Sequence, residues 1–208
     1  MLAIRFADTT QTTVKILILG DSWAADWSIK YNEYKGWPNL LAEKYNTINI
    51  AQAGVSQYSI VKQLDSVDPN EFDKVICSIT SPYRLYTPEH PVHKTGLHAN
   101  SDLIFTDLEY HIKEQPGNNR IKSALDFYEH HFDISHAEFV NQLIVDHILD
   151  RLDINKTIVT SNIQHNDKFV KSNKYCNGYD IWKKYQGTIN HLSKEGNEFF
   201  AHIMVNLS

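Results

Sequence analysis

Cysteine is scarce: the chain holds only Cys77 and Cys176. No Cys-x-x-Cys or zinc-type spacing occurs, so the sequence offers neither a cysteine metal site nor a disulfide framework. Cys77 falls inside an apolar run and reads as a small buried hydrophobe. Long hydrophobic runs are missing too. Nothing approaches the roughly 20 apolar residues of a membrane-spanning helix. Residues 1–13, broken by Arg5 and Asp8, lack the apolar core of about 7–15 residues that marks a signal peptide. A cytoplasmic protein with no membrane partner is expected. Blocks of like charge are also absent, the net charge of −5 being spread along the chain. Binding a phosphate backbone calls for a basic stripe, so no nucleic-acid partner is expected. Internal repeats, low-complexity tracts and inter-domain linkers are likewise missing. A length of 208 residues fits one domain, large enough to bury a core without covalent staples.

What is present is an alternation of short apolar runs with amphipathic segments. Residues 14–19 read VKILIL, a buried strand that stops at Gly20-Asp21-Ser22, a turn signal. Residues 37–45 read as a short helix, with Pro38 suited to its first turn and Leu40, Leu41 and Tyr45 on its apolar face. Residues 47–51 form a second strand and residues 57–64 a second helix. Residues 74–79, KVICSI, form a third strand ending at Thr80-Ser81-Pro82. Residues 135–152 give the clearest helix, capped by Ser135, with Val140, Leu143, Ile144, His147, Ile148 and Leu152 at helical spacing. Residues 157–160 form a fourth strand. Ser193 caps a last helix whose inward residues are Phe199, Phe200, Ile203 and Met204.

Strands alternating with helices imply an α/β fold, a parallel sheet covered on both faces. Sites in such sheets lie beyond the carboxyl ends of the strands. That rule brings Ser22, Gly54 and Thr80 to one edge. Residues 83–132 fit the alternation poorly. They are polar, rich in histidine and aromatics, and read as an inserted irregular or helical segment that forms a lid or substrate pocket.

A serine hydroxyl on a tight turn after a strand is a weak nucleophile that needs a base within hydrogen-bond reach. Alone, Gly20-Asp21-Ser22 is also what a plain Asx or Ser turn looks like. Two further segments extend the pattern. Asn49-Ile50-Ala51-Gln52-Ala53-Gly54 follows the second strand, and His191-Leu192-Ser193-Lys194-Glu195-Gly196 precedes the last helix. In order and strand context these three blocks resemble the SGNH (GDSL-like) hydrolase family. The resemblance implies a three-layer α/β/α sandwich with a flavodoxin-like, mostly parallel sheet. It implies an ester hydrolase with Ser22 as nucleophile and His191 as general base. The backbone N–H groups of Ser22 and Gly54 would face the oxyanion, where donors lower the barrier by meeting charge that develops in the transition state. It calls for no metal and no cofactor. The partner it implies is a small-molecule or carbohydrate-linked acyl ester.

The chain departs from the family pattern twice. The family's Asn-containing turn is replaced by Thr80-Ser81-Pro82-Tyr83-Arg84. A hydroxyl of Thr80 or Ser81 is the substitute oxyanion donor, or else both only shape the turn; Pro82 has no N–H to give. Arg84 binds an anionic substrate group or pairs with a surface carboxylate. The family's Asp, three residues before the histidine, is replaced by Thr188. A histidine base needs an acceptor on its other nitrogen to fix the tautomer. The candidates are Thr188, a main-chain carbonyl, and Asp180 from the preceding loop. Asp21, Trp23 and Arg84 are candidate substrate contacts, and Trp27, Tyr31 and Tyr34 join Trp23 as an aromatic wall or as packing. His90, His93 and His98 bind a metal only if the fold converges them, and none is assigned. His130 and His131 read as solvated or capping. Two alternatives remain beside the hydrolase: an acyltransferase on the same site, and a non-catalytic binding module that retains the fold.

Overall fold

A computed structural model of the chain describes residues 12–27, 34–170, 174–187 and 191–207. Five strands form one parallel sheet: β1 (Thr12–Gly20), β2 (Tyr45–Asn49), β3 (Lys74–Ser78), β4 (Thr157–Ser161) and β5 (Tyr175–Asn177). Their spatial order is β2-β1-β3-β4-β5, the flavodoxin-like arrangement. Among the described residues, seven α-helices accompany it: α1 (Trp37–Ala42), α2 (Gln57–Asp65), α3 (Phe105–Glu114), α4 (Asn119–His130), α5 (Ile134–Asp150), α6 (Gly178–Lys184) and α7 (Lys194–Asn206).

The two-residue period of the strands divides the core into two faces. Leu17, Leu19, Val75, Cys77 and Val159 point to one side, where Ile60 and Leu64 of α2 and Val145 and Ile148 of α5 cover them. Ile16, Ile18, Ile76 and Ile158 point to the other, under Trp37 and Leu41 of α1 and Phe200 and Met204 of α7. The result is a three-layer α/β/α fold. Phe200 anchors the second face, with the rings of Trp23 and Trp37 packed edge-on at 5.4 and 5.2 Å.

Several boundaries differ from the sequence expectation. Tyr45 opens β2 instead of closing α1. Helix α5 is capped by Asp133, whose carboxylate accepts the His136 N–H at 2.6 Å, two residues before the expected Ser135. Its buried face runs through Asn141, Val145 and Ile148, while Leu143 is exposed. Phe199 of α7 likewise turns outward, against the Tyr185 ring. The expected Ser193 cap is present and accepts the Gly196 N–H. Strand β5 was not expected: three residues at the sheet edge carry no apolar run.

Within the inserted segment 83–132, α3 and α4 pack on each other through Leu108, Ile121 and Leu125, a small core of their own. An isolated antiparallel bridge between Leu85 and Leu103 closes the loop in front of them. Among the described residues, no helix is long and apolar enough to cross a membrane.

Candidate active site

The sheet order reverses between β1 and β3, which opens a crevice at their carboxyl ends. Gly20 ends β1 there at φ +141°, where a Cβ would lie 2.4 Å from the Ser78 carbonyl oxygen. Only glycine fits so close to β3. The Gln63 amide of α2 holds it from both sides, donating to Gly20 O at 2.9 Å and accepting Gly20 N–H at 2.7 Å.

Asp21 is wholly buried. Its Oδ1 accepts from the Trp23 N–H and from Ser78 Oγ, both at 3.1 Å. Its Oδ2 accepts from Thr80 Oγ1 at 2.8 Å and lies 3.4 Å from Arg84 Nη1. A buried carboxylate needs this much compensation. The Ala24 N–H closes the turn on Asp21 O at 3.0 Å, and Ser22 sits at its outer corner, 7% exposed.

Four expectations are decided here. Asp21 is a structural hub, not a substrate contact, because its acceptor capacity is taken up within the fold. Thr80 has one O–H, and it goes to Asp21, so no proton remains for an oxyanion. Trp23 is 2% exposed and packed in the core, so it forms no substrate wall. Arg84 pairs with a buried carboxylate instead of a surface one, and its Nη1 also donates to Val55 O at 2.9 Å. Ser81 Oγ accepts the Tyr83 N–H at 3.2 Å. Its own proton meets no acceptor among the described residues.

Asn49 ties the second segment to this turn. Its amide donates to Ala24 O at 2.9 Å and accepts the Ala51 N–H at 3.0 Å. Gly54 follows at φ +80°, where a Cβ would stand 2.6 Å from Ser101 Cβ and 3.5 Å from His98 Nδ1. Among the described residues, neither the Ser22 nor the Gly54 N–H donates a hydrogen bond. The same stretch shows a residue the sequence reading missed in this role: His98, carried by the inserted segment, comes down over Gly54. Its sequence neighbourhood gives no sign of that approach.

His191 reaches the same edge from the loop before α7. Gly187 N–H donates to its carbonyl at 2.9 Å, and Leu192 bridges Gln186. Asn197 donates to Leu192 O and accepts the Trp37 N–H, while Tyr34 Oη donates to Leu192 O at 2.9 Å. Trp27 joins the two candidate residues: its indole N–H donates to Ser22 O at 2.6 Å, and its ring lies edge-on against His191 at 4.3 Å. Burial pushes the His191 imidazole down to about 4; the Asp21 charge opposes that, and His98 and Arg84 reinforce it. The ring is therefore neutral at pH 7, the state a general base needs. Ser22 Oγ and His191 share no hydrogen bond.

Of the candidate orienters, Asp180 is not brought to His191. It is exposed at the start of α6, held by Asn177 Nδ2 at 3.1 Å and Lys183 Nζ at 2.9 Å. Thr188, like Tyr31, lies outside the described residues. His130 and His131 are exposed.

Two mainly apolar cavities lie beside the crevice. One, of about 420 Å³, is lined by Tyr58, Tyr86, Phe127 and Ile144. The other, of about 440 Å³, is lined by Ile104, Phe105, Tyr128 and Ile134. Ser81, Arg84 and Phe132 border both. His90 and His93, left without a metal by the sequence reading, converge with Asp107 in the inserted segment, their candidate ligand atoms within 4.8 Å of one another. Compared with known proteins, the chain matches no family model and no curated sequence.

Proposed function

We propose that the chain is a serine ester hydrolase of the SGNH (GDSL-like) kind, acting on a small or carbohydrate-linked acyl ester. Ser22 Oγ adds to the ester carbonyl carbon while His191 takes its proton. The negative charge that builds on the carbonyl oxygen is met by the Ser22 and Gly54 N–H groups, with the Ser81 hydroxyl as a third donor. When the tetrahedral adduct collapses, the alcohol leaves with the proton from His191, and water repeats the sequence on the acyl-serine. The cavities bordered by Ser81 and Arg84 would take the acyl group. A cytoplasmic site of action accords with the two free, buried cysteines.

One observation carries this reading. Ser22 and His191, far apart in sequence, are linked through Trp27, whose indole N–H donates to Ser22 O and whose ring lies against His191, and among the described residues the Ser22 and Gly54 N–H groups donate no hydrogen bond. Unpaired main-chain donors are rare in folded proteins, and two at a nucleophile candidate suit a developing oxyanion. The test is turnover of p-nitrophenyl acetate. Ser22→Ala and His191→Ala should each abolish it while leaving the circular dichroism spectrum unchanged, and full turnover by purified Ser22→Ala protein would refute the assignment.

A second reading, a non-catalytic binding module, is favoured by the missing hydrogen bond between Ser22 Oγ and His191. It predicts no turnover by the parent protein on any ester of an acyl-chain series.

A further inference from the structure

We infer that the cavity between α2, α4 and α5 binds a flat, mainly apolar molecule that presents an amino group beside an acceptor, as a primary carboxamide does. Its volume, about 420 Å³, suits a small-molecule site, and such sites pair apolar and aromatic walls with a few polar groups. Tyr58, Tyr86 and Phe127 line it and remain exposed. The Tyr58 and Tyr86 rings stand edge-on at 4.9 Å. Exposed aromatic side chains gathered at one concavity mark a place where apolar ligands bind.

The lining also holds two amides that apolar packing does not explain. The buried stripe of α5 continues through Val145 and Ile148, and an apolar residue at 141 would complete it. Asn141 stands there instead, 2% exposed, and neither its Nδ2 nor its Oδ1 has a hydrogen-bond partner. Interchanging the two atoms changes nothing, because both are unmatched. Gln57, 4% exposed, lines the same cavity. Its Nε2 donates to Thr80 O at 3.0 Å, which fixes how the amide is turned and leaves Oε1 unmatched. Buried polar atoms in native proteins are nearly always paired, so three at one cavity call for a partner.

Their complement is an acceptor for Asn141 Nδ2 together with donors for Asn141 Oδ1 and Gln57 Oε1. A primary carboxamide carries one carbonyl oxygen and two N–H groups, which is that set. The amino edge of adenine offers it too, with a ring nitrogen as the acceptor. An alcohol has one proton to give, and an ionised carboxylate has none, so each would leave an amide oxygen stranded. Ser81 and Arg84 border this cavity, and Arg84 also faces Asp21 in the turn that carries Ser22. On the hydrolase reading, on which this extension alone rests, the bound molecule is the acyl part of the substrate ester, held by its amide end.

The test is isothermal titration calorimetry of the full chain with three probes: benzamide, adenine and acetophenone. Acetophenone has the shape of benzamide without its amino group. Benzamide or adenine should bind once per chain and at least about tenfold more tightly than acetophenone, because a site with buried polar groups rejects an analogue that leaves them unmatched. Benzamide ahead of adenine identifies a carboxamide ligand, and the reverse order an amino-substituted heterocycle. Asn141→Leu should erase the preference over acetophenone, and Asn141→Ala, which is too small to clash, should do the same. Binding is read without turnover, and labelling of Ser22 tests the hydrolase separately, so either can fail alone. A parent that binds neither benzamide nor adenine more tightly than acetophenone, or Asn141→Ala protein that keeps the preference, would overturn the assignment.

Discussion

Replacing Asp21 by alanine should be among the most damaging single changes available in this protein, and for a structural reason. The carboxylate accepts from Trp23 N, Ser78 Oγ and Thr80 Oγ1 and faces Arg84, with no exposure to water. Alanine removes the acceptor and leaves two hydroxyls, one amide and a guanidinium unmatched. Breaking a buried ion contact by deleting one partner costs about 3–5 kcal/mol. Each hydrogen bond to a charged group contributes about 1.5–3 kcal/mol, but they share one acceptor and do not add. The expected loss is therefore about 3–5 kcal/mol, read as the shift in a urea unfolding midpoint at constant slope. Asp21→Asn, which keeps the shape and loses the charge, should fall between. The double variant Asp21→Ala/Arg84→Ala should lose less than the sum of the single losses, because the guanidinium is no longer stranded. A loss below about 1 kcal/mol for Asp21→Ala would refute the hub role.

Other consequences follow from the same geometry. His191 falls from its ordinary 6.5 to about 4 by burial, so ester turnover should hold its plateau on acidification and drop with a midpoint near 4; a midpoint near 6.5 would contradict this. Both His191 and His90, also pushed down to about 4, bind protons more readily when unfolded, so stability should fall as pH drops from 6.5 toward 4, checked by urea midpoints across that window. Gly54→Ala forces a Cβ to 2.6 Å from Ser101 Cβ at φ +80°; left-handed strain alone is about 1–2 kcal/mol, and displacing one oxyanion donor should lower kcat about 10²–10³-fold. Burial raises Cys77 to about 12 and Cys176 to about 11, so neither thiol should react with a disulfide reagent until the chain is unfolded.

Much of the frame was legible because local chemistry decides it. Of the run at 14–19, Ile16 to Leu19 are buried as expected while Val14 and Lys15 are exposed, and a glycine follows where β1 meets β3. The Ser193 cap and the helix at 57–64 rest on neighbouring residues alone. What escaped depends on partners distant in the chain. Thr80 looked like a donor for substrate, but its proton belongs to Asp21, 59 residues earlier. Trp23 could be a substrate wall or packing, and its ring partner, Phe200, which decides for packing, comes from the last helix. Asp107 drew no attention beside the histidines, since it lies 14 residues beyond His93 and only the turn into α3 brings it back. Strand β5 has too few residues to show a period, and the face of α5 was misjudged by a fraction of a turn, which put Leu143 inside and Val145 out.

The most direct test of the hydrolase reading is covalent labelling of the intact protein with a fluorophosphonate, followed by mass mapping of the modified peptide. The account predicts one adduct, on Ser22, lost in Ser22→Ala and slowed in His191→Ala because no base withdraws the proton. Absence of any adduct under conditions that label a control esterase, or an adduct on another residue, would contradict it.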